Sequence, residues 1–142
     1  MPFATFAILV SLVGQTAKVD ERLEFMKTEA AAYRLEHATD YFKDKSWSDL
    51  RLLPTPVARY GKAGAAVIDC ALFALAIGTD PEVCVFLEAR QGKEGPEWFY
   101  AMGPMTCFSV KGTYKKKEVW DLPRRRPDGN PTVPYYITVE KL

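Results

Sequence analysis

The sequence predicts an α+β domain in which one N-terminal helix packs on a curved, mostly antiparallel sheet of about five or six strands. Three observations lead there. Residues 18–33 repeat apolar side chains at helical spacing. Residues 65–87 form two apolar, partly β-branched runs joined by a turn. The later runs are separated by hairpin-length connections, which favours antiparallel neighbours over βαβ crossovers. With 142 residues, the chain is about one domain long and able to bury a self-sufficient core. Apolar residues make up 48% and charged residues 26%, a balance typical of globular rather than disordered chains.

The first 17 residues, MPFATFAILVSLVGQTA, carry no charged side chain. Their apolar run, residues 3–13, is too short to span a bilayer, which takes roughly 20 residues. It reads as the apolar region of a signal peptide, with the mature chain starting near Lys18. The expectation is a signal peptide over 1–17 and a single α+β domain over 18–142, exported to the periplasm or the exterior. Val19, Leu23, Met26, Ala30 and Tyr33 then step by three and four onto one stripe, while Glu21, Arg22, Glu24 and Lys27 face elsewhere. No Pro or Gly interrupts this helix, and Ala30-Ala31-Ala32 favours it. Mixed signs on its polar face argue against a membrane-surface helix.

From His37 to Ser48 the chain reads as a strand end plus a loop, with Tyr41, Phe42 and Trp47 as exposed aromatics. Pro54 and Pro56 remove amide donors, so residues 53–57 should be an edge or crossing segment. Residues 65–77 and Val83–Leu87 form a hairpin around Gly78-Thr79-Asp80-Pro81. Val67, Ala71, Phe73 and Leu75 lie on one side of the first strand, with Ile68, Cys70, Leu72 and Ala74 on the other; a strand apolar on both faces belongs to the core. Asp69 and the turn interrupt the run, so no segment reaches spanning length. Trp98–Met102 follows as a third strand. Gly103-Pro104 breaks the ladder and residues 105–110 resume it. Lys115–Trp120 and Tyr135–Val139 read as the last strands, separated by an irregular, proline-rich stretch over 123–134.

Asp69 is the sharpest oddity, because burying an unpaired carboxylate costs several kcal/mol. Arg59 or Arg90 would satisfy it. If Ile77 faces Val83, Cys70 faces Arg90 and Asp69 lies one step away, so a structural ion pair of Asp69 with Arg90 is expected. Cys70, Cys84 and Cys107 lack the paired spacing of a zinc site and read as small buried apolar residues. Their odd number leaves at least one free thiol or an intermolecular bond. No metal site and no cofactor is expected. One histidine, His37, excludes multi-histidine centres, and no nucleophile elbow, phosphate loop or dinucleotide fingerprint is present.

Residues 1–110 carry 11 Lys/Arg and 14 Asp/Glu, a balance of −3, whereas residues 111–142 carry 8 and 4, a balance of +4. The excess comes from Lys115, Lys116, Lys117, Arg124, Arg125 and Arg126. Six cations within twelve positions suit the phosphate or sulfate groups of an anionic partner. Only Tyr114 and Trp120 accompany them, too few aromatics for a base-stacking platform, so the strip carries no strong nucleic-acid signal. These observations imply a non-catalytic exported domain that binds a partner or ligand. The alternative is a small-substrate enzyme using His37 with Asp69 or Glu88.

One likeness covers roughly residues 18–110. The apolar leader, a helix ending in AAAYRLE, then LRLLPTPVARY, an ALFALA strand after a Gly-rich approach, a turn ending in DPEV and a Trp-led strand resemble a group of small exported proteins of planctomycete bacteria. That group writes the turn Gly-Arg-Pro, whereas this chain has Gly78-Thr79-Asp80-Pro81 and lacks the Arg. The resemblance implies export and a shared fold; no activity is assigned to the group.

Overall fold

The computed structural model describes residues 20–40, 46–62, 64–123 and 138–142. Among them are one helix, α1 (residues 20–31), and ten strands: β1 (Tyr33–Ala38), β2 (Trp47–Asp49), β3 (Arg51–Leu52), β4 (Ala58–Tyr60), β5 (Val67–Ile77), β6 (Asp80–Gln91), β7 (Pro96–Pro104), β8 (Val110–Tyr114), β9 (Lys117–Leu122) and β10 (Thr138–Lys141). The α+β class holds, with strands dominating. All strand pairs are antiparallel, and they form two sheets rather than one. The four-stranded sheet runs β2-β1-β8-β9; the six-stranded sheet runs β10-β7-β6-β5-β3, with β4 also paired to β5.

The second sheet arises where the helical pattern ends early. The Ala32 amide donates to the Glu29 carbonyl at 3.1 Å, closing α1. Tyr33, expected on the helical stripe, instead opens β1 and pairs with Tyr114 of β8. Alanine-rich propensity is worth only tenths of a kcal/mol per residue and yields to strand pairing here. The chain leaves the four-stranded sheet through Leu50, a core residue between β2 and β3 whose amide donates to the Leu35 carbonyl at 2.8 Å.

One core lies among α1 and the two sheets. It joins Met26 and Ala30 of α1, Tyr33, Leu35, Val110 and Trp120 of the four-stranded sheet, and Phe73, Leu75, Val85, Leu87, Tyr100 and Met102 of the six-stranded one. The fit is close at Gly112, where a β-carbon would come within 2.0 Å of the Leu35 Cδ2. Phe25 leans on Trp98 of β7 with ring centroids 4.3 Å apart.

The hairpin of β5 and β6 forms where expected, but Gly78-Thr79 alone makes its turn and Asp80 pairs with Ile77. The ladder is therefore two residues tighter than the expected register: Cys70 faces Glu88, and Cys84 faces Ala74. Bulges at Ile68 and Glu82, the residues skipped in the pairing, adjust both ends. Asp69, Ala71, Phe73 and Leu75 consequently share the core-facing side. Residues 53–57 cross as expected, with the Leu53 and Val57 amides donating to Ala74 and Leu72 carbonyls. Gly103-Pro104 does not break β7. The strand runs through Pro104 and the chain is irregular over 105–109, so β8 starts only at Val110.

Candidate functional site

The basic strip centres on the turn between β8 and β9. Tyr114 pairs with Lys117, leaving Lys115 and Lys116 as a two-residue loop. Their φ values are 49° and 70°, the left-handed geometry of a type I′ turn, which Asn-Gly fills at least cost. Two consecutive lysines there are unusual, because a left-handed L-residue costs roughly 1–2 kcal/mol. Lys115 leans back: its Nζ lies 3.2 Å from Glu29 Oε2 and 4.9 Å from the Tyr114 ring centre. The Tyr114 hydroxyl donates to the same carboxylate. Burial and then Glu29 push the Tyr114 phenol above its usual range, while Tyr114 and Glu29 raise the Lys115 ammonium. Lys116 and Lys117 are exposed. Arg124, Arg125 and Arg126 lie outside the described residues.

Sequence reading missed the polar face beside this turn. Alternate residues of three strands, Arg34 and Glu36, Lys111 and Thr113, and Glu118, line a groove of about 410 Å³ with Asp49. Lys111 Nζ lies 3.5 Å from Glu36 Oε2 and 4.1 Å from the centre of the Trp47 ring. Trp47, expected to be exposed, is thus half-buried beneath a lysine; Tyr41 and Phe42 lie outside the described residues. The groove is not legible in the sequence because the helical stripe runs on to Tyr33 and obscures the period-two pattern of Arg34 and Glu36 that follows it.

Asp69 does not pair with Arg90. Its Oδ1 accepts from Arg59 Nε at 3.0 Å, and its Oδ2 accepts from Arg59 Nη2 at 2.8 Å and from Arg22 Nε at 3.0 Å. Burial alone would push the Asp69 carboxyl up, but the hydrogen bonds from Arg59 and Arg22 outweigh it and hold the group below its usual 3.8. The same bond raises the Arg59 guanidinium. The pleat explains the correction: Asp69 pairs with Ala89 on the core side of the β5–β6 ladder, and Arg90, the next residue, points to the opposite face. Arg90 instead donates to Glu88 and stacks 4.4 Å above Phe99. Arg22, expected to face outward, turns in to reach Asp69.

His37, Asp69 and Glu88 are not brought together. His37 sits in β1, edge-on to Phe108 with centroids 5.5 Å apart, and its buried Nδ1 has no hydrogen-bond partner among the described residues. Asp69 is enclosed by two arginines on the core face of β5. Glu88 lies on the other side of that sheet, paired across from Cys70. Cys70, Cys84 and Cys107 are all free thiols. Burial pushes the Cys70 and Cys84 thiols up, and a hydrogen bond between Tyr60 and Cys70 takes the Tyr60 phenol to about 12. Among the described residues, no helix is long and apolar enough to cross a membrane, and no three His, Cys, Asp or Glu side chains could together hold a metal ion. No protein-family model, curated protein or solved structure matches the chain.

Proposed function

We propose that the protein is a non-catalytic, exported binding domain that engages an anionic partner through the β8–β9 turn. The observation that carries this reading is the pair of left-handed lysines, Lys115 and Lys116. Backbone strain of this kind persists where the surrounding structure enforces it and tends to collect at functional positions. Here it projects Lys116 and Lys117 from the tip of a hairpin anchored through Lys115 and Tyr114 to the buried Glu29. Arg124–Arg126 follow β9 by only a few residues in the sequence and add three positive charges. A cationic tip next to a groove of mixed charge recognises sulfated or phosphorylated groups by long-range attraction, with selectivity left to the groove. The separation of His37, Asp69 and Glu88 favours binding over catalysis.

Immobilised heparin, a sulfated polyanion, is the probe. The full-length chain should be retained and released by salt, as expected for screened charge. Lys116→Ala/Lys117→Ala should elute at lower salt, and adding Arg124→Ala/Arg125→Ala/Arg126→Ala should lower it further. Passage of the unaltered protein through the column, or co-elution of all three forms, overturns the reading. Export is supported by the uncharged leader and by the resemblance to exported planctomycete proteins. Fusing residues 1–17 to a reporter active only outside the cytoplasm tests it; an inactive fusion refutes it.

A further inference from the structure

On the outward side of the six-stranded sheet, at the end far from Asp69, two sulfur atoms face each other. Cys84 Sγ lies 3.1 Å from Met105 Sδ. Cys84 stands on β6 between Ala74 of β5 and Gly103 of β7. Both neighbours are small, and nothing lies within 4 Å of where a side chain at Gly103 would begin. The thiol is therefore half-buried at its root but has open space beside it. Met105 is 57% exposed, which is unusual for a large apolar side chain at the end of an otherwise well-packed strand.

The backbone holds this pair in place. The bulge at Glu82 takes that residue out of the ladder with β5, and its carbonyl accepts the amides of Met105 at 2.8 Å and Thr106 at 3.2 Å. Two hydrogen bonds to one carbonyl thus fix the start of the 105–109 segment directly over Cys84. The bulge thereby sets the backbone from which Met105 reaches Cys84.

We infer that Cys84 and Met105 form a binding site for a soft monovalent metal ion of the Cu(I) class. A thiol and a thioether are the soft ligands that select Cu(I) over Zn(II) or Mg(II). Metal–sulfur bonds of about 2.3 Å reach both sulfurs, meeting at roughly a right angle at the present 3.1 Å separation. The rotatable bonds of Met105 let the angle at the metal open towards the wide geometry of low-coordinate sites. Binding is a simple exchange: the Cys84 S–H bond breaks, a sulfur–metal bond forms, and one proton goes to solvent for each ion bound. No change of oxidation state is involved.

The test uses the full chain, kept reduced and oxygen-free, competing with a coloured Cu(I) chelator. The protein should withdraw one equivalent of Cu(I) from the chelator. Cys84→Ser and Met105→Leu preserve approximate side-chain volume and should each weaken binding by about tenfold or more, with circular dichroism unchanged. Cys70→Ser and Cys107→Ser should bind as the unaltered chain does. In a sample carrying isotope-labelled methionine methyl groups, silver(I) should move the Met105 methyl resonance and leave those of Met26 and Met102 in place. The proposal fails if the Cys84 and Met105 variants bind with unchanged affinity, if the affinity instead follows Cys70 or Cys107, or if the Met105 methyl does not respond.

Discussion

Helix α1 is joined to each sheet by one carboxylate, and the two junctions have opposite construction. On the six-stranded sheet the carboxylate belongs to the strand: Asp69 receives Arg22 from the helix and Arg59 from β4. On the four-stranded sheet it belongs to the helix: Glu29 receives Tyr114 and Lys115 from the β8–β9 hairpin. The first junction is enclosed, with the Asp69 side chain 6% exposed and its arginines about a quarter exposed. The second opens to solvent through Lys115, whose side chain is 60% exposed. Burial decides what each can contribute. An enclosed carboxylate between two guanidiniums is costly to disturb, because removing one member strands the others in low dielectric. The second junction keeps its carboxylate buried, with the Glu29 side chain 10% exposed. Its Lys115 end lies in water and can be lost at little cost while Tyr114 still bonds Glu29, so that end is available for other work.

The largest expected effect comes from emptying the enclosed junction. Asp69→Ala leaves two guanidiniums facing each other with no counter-charge and should destabilise the fold by about 3 kcal/mol, near the low end for a broken buried pair because both arginines keep partial solvent contact. Chemical denaturation measures this directly, and a loss under about 1 kcal/mol would mean the helix does not depend on this tether. The pH dependence has a definite sign. Asp69 titrates below its usual 3.8 in the folded protein, so its contribution is present above that pH and is lost as pH falls through the lower, folded value. Asp69→Asn should remove that acid-limb component from the unfolding profile.

This junction also marks how far the sequence could be read. That Asp69 needed a cation followed from the apolar run around it, and Arg59 was one of the two candidates in reach. Choosing between them turns on the pleat. Arg59 stands across from Ala71 on the Asp69 side of β5, whereas Arg90 falls on the opposite face whether the turn holds two residues or four. The register itself, with two residues in the turn rather than four, is not settled by Gly78-Thr79-Asp80-Pro81, because proline is tolerated at strand starts and beside bulges. Arg22 was out of reach of sequence analysis for another reason. Its position on α1 reads as polar, and only the facing carboxylate turns it inward. The crossing at Pro54 and Pro56 and the hairpin of β5 and β6 were legible because proline chemistry and apolar runs act locally. The second sheet was not, since it depends on Tyr33–Ala38 finding β8 some 75 positions later. The basic turn was visible as charge, while its left-handed lysines were not.

Tyr114→Phe probes the second junction with a smaller expected effect. It removes one hydrogen bond to a carboxylate while keeping the ring against Tyr33, whose centroid is 4.7 Å away. A loss of about 1.5 kcal/mol is expected, the lower end for a bond to a charged acceptor. The phenol's raised titration sets the alkaline behaviour. Its contribution is complete below its usual value of 10.0 and is lost as pH rises through the higher folded value. The variant should therefore lose less stability than the unaltered protein between neutral and strongly alkaline solution. Equal alkaline losses in the two proteins would show that Tyr114 does not bond Glu29 in solution.

The smallest effect has the opposite sign and sharpens the contrast most. Lys115→Asn/Lys116→Gly gives the turn the pair that its left-handed geometry favours, and it removes the exposed ion pair to Glu29. The two consequences oppose each other. Relief of two left-handed side chains is worth roughly 1–2 kcal/mol per residue at most, and part of that is offset by the added freedom of glycine in the unfolded chain. The Lys115 end of that pair is open to water and contributes little, and the buried Glu29 keeps the Tyr114 hydroxyl as its partner. The net expectation is stabilisation by about 1 kcal/mol, seen as a rise of a few degrees in melting temperature. The same variant should leave heparin at lower salt, because it removes two of the three positive charges of the turn. A protein made more stable and less retentive by one pair of substitutions would indicate that the lysines are kept for binding at a cost to folding. If the variant melts lower than the unaltered chain, Lys115 is instead a structural part of the second junction, and the two junctions are more alike than their exposure implies.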